Sequence, residues 1–590
     1  MSSTSRLHKK NILMISHAKK RCGIHEYGVN IFQALKDSEK YSFHYFECAS
    51  VDDFASAVAT SNPSVIIYNY APITLPWLNR NTLKKFDVPH VAIIHEGAQE
   101  YAKTIDTSIF HYYIFPDPTL LLLNSRIFKT GRLVPQYTNT YPVPHVPVIG
   151  SFGFGLEGKG FDRLISMVQN EFDEAIIRLH IPFNDVVDPE GIQAKETGQI
   201  CQSLINKPGI KLQLSHEFLT NEQVLDFLAK NTLNAFFYRD YRGRGVSSVI
   251  DYCLAVQRPV AITKTDMFRH ITSASPSICI EETSLRQIIS NGFSPLSLYY
   301  REWSKTNFVW DYERILDQVL SRPLPARISP FQLAVKKFKR NFATYSIGGD
   351  KLMLAKPSES KTAPSRKESN EAIQYVAGVS VFNRILDNAA REQYAPAIEG
   401  LMHLVPELMS RKIPEANIQQ AFVFDTVRKF SKKYKNPSIL CVGSYEDTAY
   451  TGLKALGFIM DEIDPVLNYD LNTFMNKPTT RSGSYDIVYS TSVLEHVQND
   501  ELFLSQVGEL LSPGGVAILT CDYNDRYQPG DRIPSEDFRF YTQNDFKQRL
   551  LPLIKGCSLV DLPQWDCQNP DFSYGGCTYT FATLVFQKNK

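Results

Sequence analysis

Short apolar runs, each closed by a polar or glycine-bearing turn and followed by helical spacing, recur along the chain. Residues 11–16 (Asn-Ile-Leu-Met-Ile-Ser) read as a buried strand, followed by a loop over 21–28 containing Gly23 and a helix with apolar Val29, Ile31, Phe32 and Leu35. The pattern returns at 146–153, where Gly158-Lys159-Gly160 opens a helix, and at Ile439-Leu440-Cys441-Val442, which breaks at Gly443 before a helix ending near Leu456-Gly457. Further strands are predicted at 65–70, 88–96, 175–180, 233–238, 259–263, 485–491 and 516–520. Strands alternating with helices argue parallel sheets covered on both faces. Ligands of such sheets sit outside the carboxyl ends of the strands, so the Gly23 loop, Tyr70 and His95-Glu96 are expected to face one cleft.

The pattern changes after Pro330. Residues 333–342 (Leu-Ala-Val-Lys-Lys-Phe-Lys-Arg-Asn-Phe) are basic and amphipathic, suited to packing across the two preceding Rossmann-like halves or to peripheral contact with an anionic membrane surface. Residues 356–369 lack apolar periodicity and read as a flexible linker. Helical spacing resumes over 372–435, with Ile385, Ala389, Ile398, Leu401, Leu404 and Leu408 on its apolar positions, as a helical lead-in expected to cover the site that follows. The predicted divisions are a Rossmann-like domain (1–145), a second one with closing helices (146–350), a linker (351–371), the lead-in (372–436) and a third Rossmann-like domain (437–590).

With 63 basic and 62 acidic residues the net charge is +1, which offers no overall attraction for a nucleic-acid backbone. The ten cysteines are scattered without Cys-x-x-Cys spacing and read as buried apolar residues of a reducing compartment. No run of about 18 apolar residues suggests a membrane span. The first apolar run is broken by His17 and Lys19-Lys20, so no signal peptide is expected and a cytoplasmic location is the default.

In the third domain, the glycine turn at Gly443 lets a ligand approach the backbone, and the N–H groups of the next helix favour polar or anionic groups. Asp464, at the predicted end of the following strand, is placed to accept hydrogen bonds from both hydroxyls of a ribose, with Glu462 its replacement if the strand ends earlier. The order strand-Gly443, Asp464-Pro465, Tyr485-Asp486-Ile487-Val488 to Leu494-Glu495-His496-Val497, then Leu510-Leu511-Ser512-Pro513-Gly514-Gly515 resembles a class I S-adenosylmethionine-dependent methyltransferase over residues 437–590. The resemblance implies cofactor contacts at Gly443, Ser444, Asp464, Ser490 and Glu495. One departure is plain: the family carries an acidic residue and Gly-x-Gly-x-Gly at the first turn, whereas this chain has Cys441-Val442-Gly443-Ser444-Tyr445-Glu446. Methyl transfer is a displacement that often needs the acceptor's proton removed. His496, expected just past one strand, and Asp522, expected just past the next, are the candidate bases; Asp522 with Asp525 is alternatively a Mg²⁺ site. Residues 537–542 resemble a segment of this group, and 573–576 form a loop expected to help close the acceptor site.

The two earlier Rossmann-like units, closed by Trp303, Trp310 and Tyr312, resemble a GT-B glycosyltransferase of the large retaining family over about residues 10–322. The resemblance implies that Gly23 touches the sugar diphosphate of a nucleotide-sugar donor, that His95 faces the reacting sugar, and that Lys159 of Lys159-Gly160 binds the diphosphate, where an ammonium stabilises developing charge. The family's arginine upstream of that lysine falls near Phe154, and its two glutamates fall at Arg244 and Tyr252, with Asp251 beside the second. In their place stands Arg242-Gly243-Arg244-Gly245 ahead of a helix capped by Ser247 or Ser248; two guanidiniums, two glycines and a helix N-terminus suit phosphate. Lys159, Arg242, Arg244, Ser247 and Asp251 are therefore the donor candidates.

Together these readings predict an α/β chain that combines a GT-B glycosyltransferase with a class I methyltransferase. It would add a sugar and O-methylate a sugar during surface-polysaccharide assembly, on a glycan or lipid-linked saccharide acceptor. Two alternatives stay open: a GT-B part that only binds the glycan acceptor, and methylation of a protein or small molecule.

Overall fold

The computed structural model describes residues 9–324 and 381–590, except positions 98, 106–108, 123, 157, 187, 241 and 242. Arg242, the basic stretch 333–342, the linker 351–371 and the start of the lead-in lie outside the described residues. The chain divides into two compact units, residues 1–351 and 352–590.

The first unit holds two parallel sheets in series. Strands β1 (Lys10–Ser16), β2 (Tyr41–Glu47), β3 (Val65–Tyr70), β4 (His90–Ile94), β5 (Tyr112–Phe115) and β6 (Ile127–Lys129) are ordered β2-β1-β3-β4-β5-β6. Strands β7 (Val148–Phe152), β8 (Ala175–His180), β9 (Ile210–Ser215), β10 (Leu233–Phe236) and β11 (Val260–Ile262) are ordered β11-β10-β7-β8-β9. The chain reverses direction across the first sheet between β1 and β3, and across the second between β7 and β10. Such switch points open a crevice at the strands' carboxyl ends. The turn carrying Lys159 and the stretch that begins at Arg239 both leave the second switch point. The helix Lys305–Ser321 returns to the first sheet, where Phe308, Tyr312, Ile315 and Leu316 join the core formed by β1, β3 and β4.

The second unit holds a mixed sheet. Strands β12 (Ile439–Val442), β13 (Asp461–Ile463), β14 (Tyr485–Thr491) and β15 (Leu511–Tyr523) are parallel, and β18 (Cys577–Lys588) runs antiparallel between β15 and β16 (Cys557–Leu559). The order is β13-β12-β14-β15-β18-β16, with β17 (Phe572–Tyr574) in a hairpin on β18. Its switch point lies between β12 and β14. The described part of the lead-in holds helices, of which Asn417–Ser431 buries Phe422, Val423 and Phe424 in the core shared with β12 and β14.

Four local expectations change. The helix after β1 starts at Gly23, so Gly28 is a helical residue whose backbone passes close to the Asn69 amide. Tyr70 packs edge-on against Phe110 in the core, leaving Asn69 as the polar residue that β3 presents to the cleft. Asp522 lies inside β15 rather than past it, because β18 pairs as far as Asp522↔Phe581 and Tyr523↔Thr580. Neither Ser247 nor Ser248 caps the helix Val249–Val256 with its side chain; the Ser248 hydroxyl accepts from Arg132 instead.

Candidate functional site

In the second unit, Gly443 turns the chain at φ 87°, and a Cβ there would stand 2.4 Å from Val493 Cγ2, so the turn requires glycine. Because β13 ends at Ile463, Asp464 rather than Glu462 stands at the strand end. Its carboxylate accepts from Val466 N at 2.7 Å and Tyr445 N at 3.2 Å, tying that end to the Gly443 turn. Ser444 and Ser490 are buried, and neither hydroxyl has a partner. Asp447, which the sequence reading did not single out, caps the helix Thr448–Ala455 through Tyr450 N at 2.6 Å. It is 3 % exposed, and burial pushes its carboxyl up to about 6. An acid four residues past the turn glycine, at a helix start, was the signal that could have found it.

Glu495, His496 and Asp522 come together at the ends of β14 and β15. Glu495 is fully buried and accepts from the Ser492 hydroxyl at 2.6 Å. Asp522 faces it, with the Tyr579 hydroxyl alongside; burial and the neighbouring Glu495 push the Asp522 carboxyl well above the ordinary range. His496 Nδ1 stands 2.9 Å from Asp537 Oδ1, and that contact raises the imidazole to about 9, so it is an imidazolium at neutral pH. A group that is already protonated cannot take the acceptor's proton, which counts against His496 as the base. Asp525 accepts from Gln543 N and from the Tyr523 hydroxyl, whose oxygen also reaches Trp565. That is the opposite face of the sheet from Tyr579 and Asp522, so Asp522 and Asp525 do not converge on a metal ion. No cluster of three or more metal-ligating side chains occurs among the described residues.

In the first unit, His95 follows β4 and its Nε2 donates to Asn69 Oδ1 at 2.6 Å. Burial and the nearby Arg132 lower it to about 3, which keeps it neutral. Lys159 sits at the turn before the helix Phe161–Glu171, its ammonium 4.0 Å from the centre of the Tyr238 ring. A pocket of about 420 Å³ adjoins this turn, with Lys159, Asp162, Glu196 and Arg239 among its walls.

Of the other donor candidates, Arg244 and Asp251 are engaged between the two lobes. Arg244 forks onto Glu96, with Nε to Oε2 at 2.8 Å and Nη2 to Oε1 at 2.9 Å. Both oxygens of Asp251 are taken by Arg132, at 3.0 and 2.6 Å, and both side chains are buried, so Asp251 is a lobe-to-lobe ion pair and not a donor contact. Ser247 is buried, its N–H donating to Met267 O. Tyr252 bonds Asn30 and Asn221 at 2.9 and 2.8 Å. Phe154 lies against Gly23, 4.0 Å from where a Cβ would stand. Gly245 passes so close to the other lobe that a Cβ would lie 1.8 Å from the His95 carbonyl oxygen. Arg21–Asp185 and Arg269–Asp117 complete the seam.

Residues 416–556 match the family model described as a methyltransferase domain. No curated protein matches the chain. Among solved structures, the chain resembles Anabaena HepE in complex with UDP and glucose at 12 % identity, covering 52 % of this chain and 99 % of that one, with a TM-score of 0.38. It resembles a glycosyltransferase from Rickettsia africae at 12 % identity, covering 58 % and 100 %, with a TM-score of 0.35. The lipopolysaccharide outer core galactosyltransferase WaaB is 10 % identical, covering 52 % and 99 %, with a TM-score of 0.36. The two-lobed architecture rests on the strand orders, not on these likenesses. By its strand orders the first unit is a pair of Rossmann-like lobes, and in the second, residues 416–556 match a methyltransferase domain.

Proposed function

We propose that the chain is a bifunctional enzyme of surface-polysaccharide assembly, working in the cytoplasm, whose first unit transfers a sugar from a nucleotide-sugar donor and whose second O-methylates a sugar. The observation that carries the second activity is the buried Glu495–Asp522 pair beside the His496–Asp537 contact, at the carboxyl ends of two strands flanking a switch point.

The residues around Gly443 fit S-adenosylmethionine. The unpartnered hydroxyls of Ser444 and Ser490 lie buried where a ligand can satisfy them, Asp464 stands at the strand end for a ribose, and Asp447 offers an ammonium a carboxylate. When bound, the cofactor supplies a methyl group activated by a positively charged sulfur. Asp522 takes the acceptor hydroxyl's proton as the oxygen attacks. Glu495 raises the basicity of that carboxylate by repulsion, Tyr579 orients it, and His496, fixed by Asp537, offsets the negative charge.

In the first unit, Lys159 is placed for a diphosphate and neutral His95 for the reacting sugar. A second reading, in which the GT-B part binds a glycan without transferring sugar, is favoured by one set of contacts. The three positions expected to carry the family's arginine and glutamates are Phe154, Arg244 and Tyr252, and each touches the opposite lobe. Incubating the purified chain with labelled S-adenosylmethionine, nucleotide sugars and a lipid-linked glycan tests both activities. Methyl transfer with neither sugar transfer nor donor hydrolysis selects the second reading, and a chain that methylates no glycan refutes the proposal for the second unit.

A further inference from the structure

The second unit's cleft holds more negative charge than its cations answer. Glu495 is fully buried, Asp522 nearly so, and the Asp537 side chain is 2 % exposed. Opposite them stands one imidazolium, His496. Two neighbouring guanidiniums are committed elsewhere: Arg539 and Arg549 each meet Asp500 at 2.9 Å. Two buried oxygens, Glu495 Oε2 and Asp537 Oδ2, have no partner. A carboxylate taken out of water costs several kcal/mol unless a proton or a cation meets it. Burial raises the carboxyls of both Glu495 and Asp522, and a cation bound between them would relieve that cost.

The cofactor's sulfur is a poor candidate for that cation. Its charge disappears as the methyl leaves, so carboxylates set against it would favour the ground state over the transition state and slow the step. A cation carried by the acceptor keeps its charge throughout. The rim also suits a sugar face: Phe538, next to Asp537, is 51 % exposed and Tyr574 of the β17 hairpin 46 % exposed, and the two segments meet where Gly575 approaches Pro534.

We infer that the acceptor is an amino sugar, whose ammonium lies against the unpartnered oxygens of Glu495 and Asp537 while a nearby hydroxyl meets Asp522. This deepens, and rests on, the sugar O-methylation proposed above. In the step, an oxygen–methyl bond forms as the sulfur–methyl bond breaks; the sulfur keeps that bond's electron pair and leaves neutral, the hydroxyl proton passes to Asp522, and the ammonium is unchanged.

The test compares initial methylation rates on the methyl glycosides of glucosamine, N-acetylglucosamine, glucose and glucuronic acid, with the full chain and S-adenosylmethionine. The free amine is expected to outrun the N-acetyl and neutral sugars by about ten- to a hundredfold, the scale of one charge-assisted hydrogen bond, with the uronic acid slowest. Glu495→Gln should shrink the amine-to-glucose ratio towards one, and that ratio does not depend on how much of the variant folds. Equal rates on the amine and its N-acetyl form, or a fastest uronic acid, overturn the amino-sugar assignment and leave sugar methylation standing. Methylation of none of the four by a chain that binds S-adenosylmethionine in calorimetry overturns the sugar reading, and the inference with it.

Discussion

The two clefts of this chain treat charge in opposite ways. In the first unit four ion pairs join the lobes one to one: Arg21 with Asp185, Glu96 with Arg244, Asp117 with Arg269, Arg132 with Asp251. In the second, three carboxyls gather around one histidine and two of their oxygens stay unmatched. Satisfied charges hold structure together, whereas unsatisfied ones lower stability and are retained where a ligand completes them. By that measure the paired charges fasten the seam of the first unit, and the unmatched ones of the second are placed to receive.

The largest expected effect tests the receptive side. Asp522→Asn should slow methyl transfer by ~10²–10⁴-fold, the range for loss of a general base, while S-adenosylmethionine binds within about twofold of wild type. A rate close to wild type would move the base elsewhere. Next comes the matched side. Arg132→Ala leaves Asp251 buried without a partner and should destabilise the first unit by about 3–5 kcal/mol. Arg132→Met with Asp251→Leu should recover most of that. Denaturant unfolding followed by tryptophan emission reads it, since Trp77, Trp303 and Trp310 all lie in that unit.

A smaller effect separates cofactor contacts from acceptor contacts. Asp447→Asn and Asp464→Ala should each weaken S-adenosylmethionine by roughly 1.5–3 kcal/mol in calorimetry. Wild-type affinity should also fall as the pH drops through about 6, because the Asp447 carboxyl, raised by burial, then becomes neutral and no longer attracts an ammonium. Above that value the affinity should level off, and in Asp447→Asn this pH dependence should vanish. The smallest effect concerns Glu96→Gln. The Glu96–Arg244 pair is more than half exposed, so its loss should change stability by under about 1 kcal/mol. If the pair only holds the lobes, nucleoside diphosphate binding should tighten slightly as Arg244 is released. Unchanged binding would mean that Arg244 never meets phosphate.

The sheets were legible in the sequence because a parallel strand buried on both faces is a near-continuous apolar run, and the residue that ends it is polar. Asp464 could be placed on that ground, whereas Lys159 was placed by the Gly-Lys-Gly turn ahead of a helix and by family resemblance. What stayed hidden is long-range: Arg132 and Asp251 stand 119 residues apart, and nothing local marks either as half of a buried pair. Asp537, quoted only within a segment, gained its meaning from His496 41 residues earlier in the chain. The extent of β15 was misjudged because a strand's length is set by its neighbour, here the twelve residues of β18. The glycine loop after β1 was misread because Gly28 serves a close helix–strand approach, which composition cannot distinguish from a turn.

Gly245 lends the seam a mechanical property. Its backbone is pressed against the His95 carbonyl, 3.5 Å from Glu96 Cα by the same measure, so any side chain there acts as a wedge driven between the lobes. Replacing one hydrogen atom with a methyl group would pry the first cleft apart and leave every charged group on both sides chemically intact. Position 245 is thus a lever for setting the aperture of this cleft independently of its electrostatics.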